Sequence, residues 1–247
     1  MTGLVGALGL LTRLPVVSHT ISDRDASIAW FPIVGLLLGL AAALAYAVGS
    51  LLFPPVVAAT IAILCLVLLT GALHEDGLAD AADAWGGGTT REETLRILRD
   101  PGVGTYGALA IGFSLLVRVA ALSVLTPSAA LLALPAIHAI SRAATAGMLA
   151  TTPAARGDGL GADAGRTATR ARVVAVVLAM AASLALIGPL AVAAMAVALV
   201  VTVAVRLVAM RRIGGVTGDV LGATEQLVEI GAMLLVAGVA YRFGVAP

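Results

Sequence analysis

The stretch that decides the fold covers residues 55–88, PVVAATIAILCLVLLTGALHEDGLADAADAWGGG. Residues 55–73 carry no charge, and four carboxylates then follow within nine positions. An uncharged segment of this length is typical of a helix inside a bilayer, because roughly 20 apolar residues cross the hydrocarbon core. The stretch therefore predicts a membrane helix that leads into an acidic, polar segment.

The composition extends this prediction to the whole chain. Of the 247 residues, 60% are hydrophobic and only 12% are charged, far from the averages of soluble proteins. The net charge of +1 points to no class of partner, and the single cysteine excludes an intrachain disulfide. No basic segment precedes the first apolar residues, so we expect no cleavable signal. We predict an all-α polytopic integral membrane protein, a helical bundle with a single domain over residues 1–247.

Apolar segments separated by turns predict seven transmembrane helices, at residues 29–53, 56–73, 106–125, 129–150, 173–187, 190–210 and 225–241. The turns at 54–55, 126–128 and 188–189 carry no charge, whereas the polar loops at 74–105, 151–172 and 211–224 carry most of the arginines. Arginine-rich loops remain on the cytoplasmic side. We therefore expect a cytoplasmic N-terminus, and an active site at the cytoplasmic face of the inner membrane.

Three aspartates of the acidic stretch form a candidate metal site. If this stretch is helical, Asp76, Asp80 and Asp83 lie at i, i+4 and i+7 on one face. Like charges so close repel one another unless a cation lies among them, and hard carboxylate oxygens suit Mg²⁺, with Mn²⁺ as an alternative. The other interpretation is a solvated acidic helix end, but such a face usually alternates acids with bases.

A glycine-rich stretch, RRIGGVTGDVLGATEQLVE at residues 211–229, is the second candidate site. Glycines before a helix start present backbone N–H groups that favour phosphate oxygens. This interpretation makes Gly214, Gly215 and Gly218 phosphate-binding candidates. Close packing of helices is the alternative role for glycines in a membrane bundle.

The same stretch adds carboxylates at or below the membrane surface. These are Asp219 and the i, i+4 pair Glu225 and Glu229. A carboxylate inside a span is a functional candidate because leaving it unpaired in lipid is costly. Glu229 has a second interpretation, as the structural partner of Arg206 or Arg212.

Arginines near the cytoplasmic face can clamp a pyrophosphate and stabilise charge in a transition state. The candidates are Arg13, Arg99, Arg142, Arg156 and Arg212. We expect Arg91 and Arg96 to contact anionic lipid, and Arg118 to snorkel outward from the third span. His138 and Arg142, at i and i+4, should share an inward face.

Three motifs give a resemblance to a known family: HEDGLADAAD at 74–83, DPGVGTYG at 100–107 and GGVTGDVLGA at 214–223. Together with LTRLP at 11–15 and ARGDGLG at 155–161, they resemble the cobalamin synthase family. Members of that family are adenosylcobinamide-GDP ribazoletransferases. The resemblance covers residues 11–229, with the motifs in the family's order.

The resemblance implies a specific reaction. A ribose hydroxyl of α-ribazole, or of its 5′-phosphate, attacks the phosphorus attached to cobinamide, and GMP leaves. Under this hypothesis Asp76, Asp80, Asp83 and Asp219 hold magnesium against the pyrophosphate. One of these carboxylates or Glu225 accepts the proton. The expected partners are the two substrates and the bilayer, with a homo-oligomer or a complex of pathway enzymes left open and no nucleic acid.

Two other classes remain open from the residues alone. A CDP-alcohol phosphotransferase or prenyltransferase also uses aspartates on helices beside the membrane, although Ala79 is followed here by Asp80 rather than arginine. A cation-coupled transporter places charges near the midplane on broken helices. The carboxylates of this sequence cluster instead at one predicted face.

Overall fold

The computed structural model describes residues 2–15, 24–157 and 169–244, so residues 158–161 of the ARGDGLG motif lie outside the described chain. These residues form helices throughout, and their only β-type pairing is one isolated bridge, between Ala154 and Val216. The helices are α1 (Thr2–Leu11), α2 (Arg24–Ala29), α3 (Phe31–Gly49), α4 (Pro55–Thr70), α5 (Leu73–Gly87), α6 (Arg91–Ile97), α7 (Thr105–Ser123), α8 (Pro127–Thr151), α9 (Thr169–Ile187), α10 (Leu190–Ile213) and α11 (Gly218–Arg242).

Five of the described helices are long and apolar enough to cross a bilayer, namely α3, α7, α8, α10 and α11. Helices α4 and α5 pass the same test only together, and they are bent by 88° at their junction, so the number of spans is at most six if this pair counts as one. The apolar part of α9, Val173–Ile187, is shorter. The all-α polytopic membrane fold is confirmed, and the count of seven spans stays a prediction.

Backbone-to-backbone packing of α3 against α8 forms the centre of the bundle. A Cβ on Gly39 would lie 2.5 Å from the carbonyl oxygen of Leu134, and one on Gly35 would overlap the carbonyl of His138. Such small residues let membrane helices approach closely. Buried Val34, Leu38 and Ile137 fill the same interface.

The acidic stretch is a helix, not the polar loop predicted over 74–105. Gly71 and Ala72 both adopt left-handed backbone angles, with φ of 66° and 59°. They end α4 and allow α5 to start again almost at right angles. Left-handed backbone angles are strained for a residue that carries a Cβ, as Ala72 does. Contacts with neighbouring residues must therefore hold the corner between α4 and α5. One contact is Arg13, whose side chain lies where a Cβ of Gly71 would be.

The predicted loop at 211–224 is likewise partly helical. Helix α11 begins at Gly218, and Thr217 caps it by accepting a hydrogen bond from the Val220 N–H. The first turns are buried at Val220, Leu221 and Thr224. These turns are buried against α5, a contact between distant residues that the local pattern does not indicate. This burial explains why the helix begins before the predicted span at 225–241.

Candidate active site

The contact between α5 and α11 brings the acidic and glycine-rich motifs together. Gly77 faces Gly222 so closely that a Cβ on Gly77 would lie 3.0 Å from the Gly222 Cα. It would also lie 2.9 Å from the carbonyl oxygen of Asp219. Asp219 therefore lies beside the aspartate face of α5. The contact brings Asp219 next to candidate metal ligands that are more than a hundred residues earlier in the chain. At Gly222 the alternative role of the glycines, close packing of helices, is therefore confirmed.

Asp80 lies at the electrostatic centre of the acidic cluster, which consists of Asp76, Asp80, Asp83, Asp100 and Asp219. Partial burial and, after it, the negative charges of the other four carboxylates together raise the pKa of Asp80 to about 7. A carboxylate is perturbed in this way where like charges share a site. The arrangement concentrates negative potential and favours a bound cation.

Asp100 was not among the predicted site residues. The motif DPGVGTYG at 100–107, which begins with Asp100, was the feature of the sequence that could have identified it. In the sequence analysis this motif supports only the family resemblance. Asp100 is exposed just after α6, and its Oδ1 accepts a hydrogen bond of 3.0 Å from the Gly102 N–H. The loop between α6 and α7 therefore contributes a carboxylate to the cluster.

Asp83 has a structural contact that explains the glycines of this loop. Its two carboxylate oxygens accept hydrogen bonds from the Gly104 N–H at 2.7 Å and the Gly107 N–H at 2.9 Å. A Cβ at either glycine would overlap the Asp83 carboxylate. Asp83 thus caps the N-terminus of α7 and fixes the loop to α5. Each oxygen keeps a further lone pair for another partner.

The chemistry of the cluster fits a hard divalent cation. Asp76 is exposed, and Asp80, Asp83 and Asp219 are partly buried, so their oxygens are open to solvent and to a ligand. Thr217 donates a hydrogen bond of 3.1 Å to Asp219 Oδ2, which orients that carboxylate. An all-oxygen set with room for water and phosphate is what Mg²⁺ takes in proteins.

A second group of potential ligands is buried in the bundle. Among the described residues, ligand atoms of His138, Glu225 and Glu229 lie within 4.8 Å of one another. Arg142 donates to Glu225 and lies 3.7 Å from Glu229, and Arg118 lies 3.1 Å from Glu229. Two guanidinium groups already neutralise these carboxylates, so this group is an ion-pair network and not a cation site.

Glu225 and Arg142 are buried inside the bundle. Glu225 is fully buried, where it accepts hydrogen bonds from Ser141 and Arg142, and Arg142 is 2% exposed. His74 Nδ1 lies 3.8 Å from Glu225. The expected inward face of His138 and Arg142 is confirmed, since both are buried and hydrogen-bonded to each other. The expected position of Arg142 near the cytoplasmic face, as a phosphate ligand, stays a prediction.

The expectations for Arg118 and Glu229 were wrong. Arg118 is 1% exposed and does not snorkel, because Glu75 and Glu229 accept its hydrogen bonds at 2.9 and 3.1 Å. Glu229 pairs with Arg118 rather than with Arg206 or Arg212. Arg206 donates instead to the Thr151 carbonyl. Helix α5 buries Glu75 in the bundle beside Arg118, a contact between distant residues that the spacing along α5 does not predict.

Two arginines fasten the polar end of the bundle. Arg212 donates to the carbonyls of Trp85 and Gly88, each at 2.9 Å, and so caps the C-terminus of α5. Arg91 donates to the carbonyls of Ile213 and Ala155. The expected contact of Arg91 with anionic lipid stays a prediction. These bonds tie together the segments at 85–91, 153–156 and 212–216.

The other predicted phosphate ligands differ in their surroundings. Arg156 lies close enough to Asp219 for its charge to act on that carboxylate, and its buried Nε has no hydrogen-bond partner among the described residues. Arg99 is exposed at the end of α6, beside Asp100. Arg13 packs at the α4–α5 corner, where its backbone N–H donates a hydrogen bond to the Leu69 carbonyl. Arg156 is therefore the arginine best placed beside the cluster.

The three predicted phosphate-binding glycines have different local roles. Gly214 has φ of 74° and ends α10, with its N–H bonded to the carbonyls of Ala209 and Met210. A Cβ on Gly215 would lie 2.5 Å from the Pro153 carbonyl oxygen, so this glycine permits the 153–155 segment to approach. Gly218 is exposed, with open space around it at the first turn of α11. Gly218 alone of these three retains the setting expected for phosphate binding.

Fold and site together define a class: a polytopic helical membrane protein with a carboxylate cluster where α5 meets the start of α11. Residues 3–237 match the family model described as Cobalamin-5-phosphate synthase. The chain belongs to the cobalamin-5-phosphate synthase family.

Curated relatives agree with the family match. The chain is 44% identical over 243 residues to the adenosylcobinamide-GDP ribazoletransferase of Azorhizobium caulinodans, with 92% of each chain covered. It is 42% identical to the enzyme of that name from Bradyrhizobium diazoefficiens, covering 96% of this chain and 93% of the relative. The identity to the Ralstonia nicotianae enzyme of that name is 39%, covering 91% and 90%. No solved structure matches the chain.

Proposed function

We propose that this protein transfers the adenosylcobinamide-phosphate group from adenosylcobinamide-GDP to α-ribazole or α-ribazole 5′-phosphate, with release of GMP. The observation that carries the proposal is the acidic cluster, whose carboxylates come from α5, α11 and the loop before α7. The names of the relatives support the substrates. They do not favour a CDP-alcohol phosphotransferase, a prenyltransferase or a cation-coupled transporter.

Mg²⁺ is the proposed cofactor, held by Asp76, Asp80, Asp83 and Asp219, with Mn²⁺ as a substitute. When bound, the metal neutralises phosphate oxygens and improves the leaving group. Arg156 is the proposed phosphate ligand beside this site, because its charge already acts on Asp219. We place the site at the cytoplasmic face of the inner membrane, following the arginine asymmetry.

The chain's own residues narrow the choice of proton acceptor. Glu225 is fully buried and bonded to Ser141 and Arg142, so it has no direct access to a substrate hydroxyl. The exposed Asp76 and the partly buried Asp80 lie where a substrate can reach them. The proton of the attacking hydroxyl therefore passes to a carboxylate of the cluster, and GMP leaves with the electron pair of the broken P–O bond.

The direct test is GMP release by the purified protein in liposomes, with adenosylcobinamide-GDP and α-ribazole phosphate as substrates. We expect release that requires both the acceptor and Mg²⁺. Omitting the acceptor separates transfer from hydrolysis, and α-ribazole in its place identifies the preferred acceptor. Absence of release from folded protein with fresh substrates would overturn the proposed reaction. CDP-alcohols and prenyl diphosphates are then the next substrates to test.

The pKa of Asp80 predicts how metal binding depends on pH. Because this pKa is raised to about 7, the side chain is mostly neutral below that pH and mostly ionised above it. A proton on Asp80 competes with the cation, so Mn²⁺ affinity should increase as the pH rises towards 7 and should level off above it. Electron paramagnetic resonance of Mn²⁺ between about pH 5.5 and 8.5 measures this.

The asparagine variant of Asp80 is the control for this pH dependence. Asp80→Asn cannot titrate, so its weaker Mn²⁺ binding should change less between pH 6 and 8 than that of the wild type. An equally steep dependence in both proteins would assign the titration to another group.

A further inference from the structure

The charge network inside the bundle consists of Glu75 from α5, Arg118 from α7, Arg142 from α8, and Glu225 and Glu229 from α11. All five side chains are at most 7% exposed. Burying an ion pair in a low-dielectric interior is weak evidence for stabilisation, since desolvation offsets much of the attraction. A network of this size therefore calls for a role in holding a particular geometry.

Arg118 lies where this network joins the two helices of the active site. Its Nη2 donates to Glu75 Oε1 at 2.9 Å, and its Nη1 donates to Glu229 Oε1 at 3.1 Å. A guanidinium group holds two carboxylates in fixed directions because its donors form a planar fork. Gln226 of α11 reinforces the same link, since its amide nitrogen donates to Glu75 Oε1 at 3.4 Å and its amide oxygen accepts a hydrogen bond of 2.9 Å from Ser114 of α7.

The residues that Arg118 holds lie on the two helices that carry metal-site candidates. Glu75 directly precedes Asp76 on α5, and Glu229 is on the helix that begins with Gly218 and Asp219. The close contact of Gly77 with Gly222 lies between the buried pairs and the acidic cluster. A shift of Glu75 relative to Glu229 would therefore move Asp76 and Asp80 relative to Asp219.

We propose that Arg118 is a positioning residue: by holding Glu75 and Glu229 together, it sets the spacing of the α5 aspartates from Asp219 and so the affinity of their divalent cation. The part concerning the cation rests on the proposed function. The part concerning the spacing of α5 and α11 depends only on the fold.

The substitution Arg118→Met tests the proposal because it removes the fork and keeps an apolar side chain of similar length. We expect Mn²⁺ affinity, measured by electron paramagnetic resonance without substrates, to fall roughly 10-fold or more. The Mg²⁺ concentration for half-maximal GMP release should rise in parallel. Arg118→Lys should recover part of this loss, since one ammonium group keeps the charge without the fork.

Spin labels on α5 and α11 give a readout that needs neither metal nor activity. The single cysteine is replaced by Cys65→Ser, and labels are attached at Leu73→Cys and Leu234→Cys, two exposed positions. The distance between the labels should have a narrow distribution with Arg118 present. In Arg118→Met it should be displaced or broader.

The control is Tyr46→Phe, which removes another buried hydrogen bond, from Tyr46 Oη to the Leu125 carbonyl at 2.8 Å. This bond does not involve α5 or α11, so the label distance and Mn²⁺ affinity should stay as in the wild type.

If Arg118→Met does not fold, Glu75→Gln takes its place, because it weakens the α5 half of the fork and leaves the pair with Glu229. We expect the same changes in a milder form.

The two proposals fail in different ways. An unchanged label distance and unchanged Mn²⁺ affinity in folded Arg118→Met or Glu75→Gln would overturn the positioning role of Arg118. Absence of Mn²⁺ binding by the wild type would overturn the metal site, and the label distance would still decide whether Arg118 sets the spacing of the two helices.

Discussion

Replacing Asp80 by asparagine is expected to lower kcat/KM for GMP release roughly 100- to 1,000-fold, the range found for loss of a group that stabilises charge in a transition state. Asp80 lies among four other carboxylates, and burial together with their negative charges raises its pKa to about 7. Asparagine keeps the shape of the side chain and loses its charge, so Mn²⁺ affinity should fall together with turnover.

The same substitution should not destabilise the protein. A carboxylate whose folded pKa lies above its usual range opposes folding at pH 7 and above, so neutralising it relieves repulsion. The melting temperature of Asp80→Asn should equal or exceed that of the wild type. Glu92→Gln is the matched control, because it removes one exposed carboxylate from the first turn of α6. Wild-type turnover by Asp80→Asn would remove this residue from the active site.

The second large effect is expected for Gly77→Ala. The added methyl would lie 2.9 Å from the Asp219 carbonyl oxygen and 3.0 Å from the Gly222 Cα, and these are backbone atoms that cannot rotate away. Helices α5 and α11 must separate, at a cost of about 1–3 kcal/mol of unfolding free energy. Because the separation moves Asp76 and Asp80 away from Asp219, activity should fall at least about 10-fold, as expected for misplaced catalytic groups.

A matched alanine substitution tests whether the contact causes this loss. Gly112 lies within α7, is exposed, and has no atom within 4 Å of an added Cβ. Gly112→Ala makes the same chemical change in a helix and should be neutral, or stabilising by up to about 1 kcal/mol. Equal melting temperatures and rates for the two variants would show that the Gly77–Gly222 contact does not determine the position of α5.

The sequence was sufficient for features that depend on local pattern. Long apolar runs identified the membrane helices, and the uncharged turns at Pro54 and Gly188 marked where α3 and α9 reverse direction. The i, i+4, i+7 spacing placed Asp76, Asp80 and Asp83 on one helix face. The motif order also led to the family to which the chain belongs.

The sequence was insufficient where distant residues meet. Arg118 was predicted to snorkel because no acid lies on the predicted outer side of its span, whereas Glu75 and Glu229 reach it from other helices. The left-handed angles at Gly71 and Ala72 that redirect α5 have no reliable local signal. Arg212 matched the chemistry of a phosphate clamp equally well before its bonds to the carbonyls of Trp85 and Gly88 were known. The residue type shows which interactions such a side chain can make, whereas only the packed structure shows which groups it contacts.

The buried ion pairs have a consequence for how the protein is assembled during synthesis. Arg118 of α7 has one partner, Glu75, on the earlier helix α5, but Arg142 of α8 pairs with Glu225 of α11, the last described helix along the chain. A lone charge at the centre of a membrane helix costs about 2.5–3.5 kcal/mol on insertion. Helix α8 therefore carries Arg142 without its carboxylate until α11 is made, and a ribosome-bound chain that ends before α11 should keep α8 exchangeable with the insertion machinery.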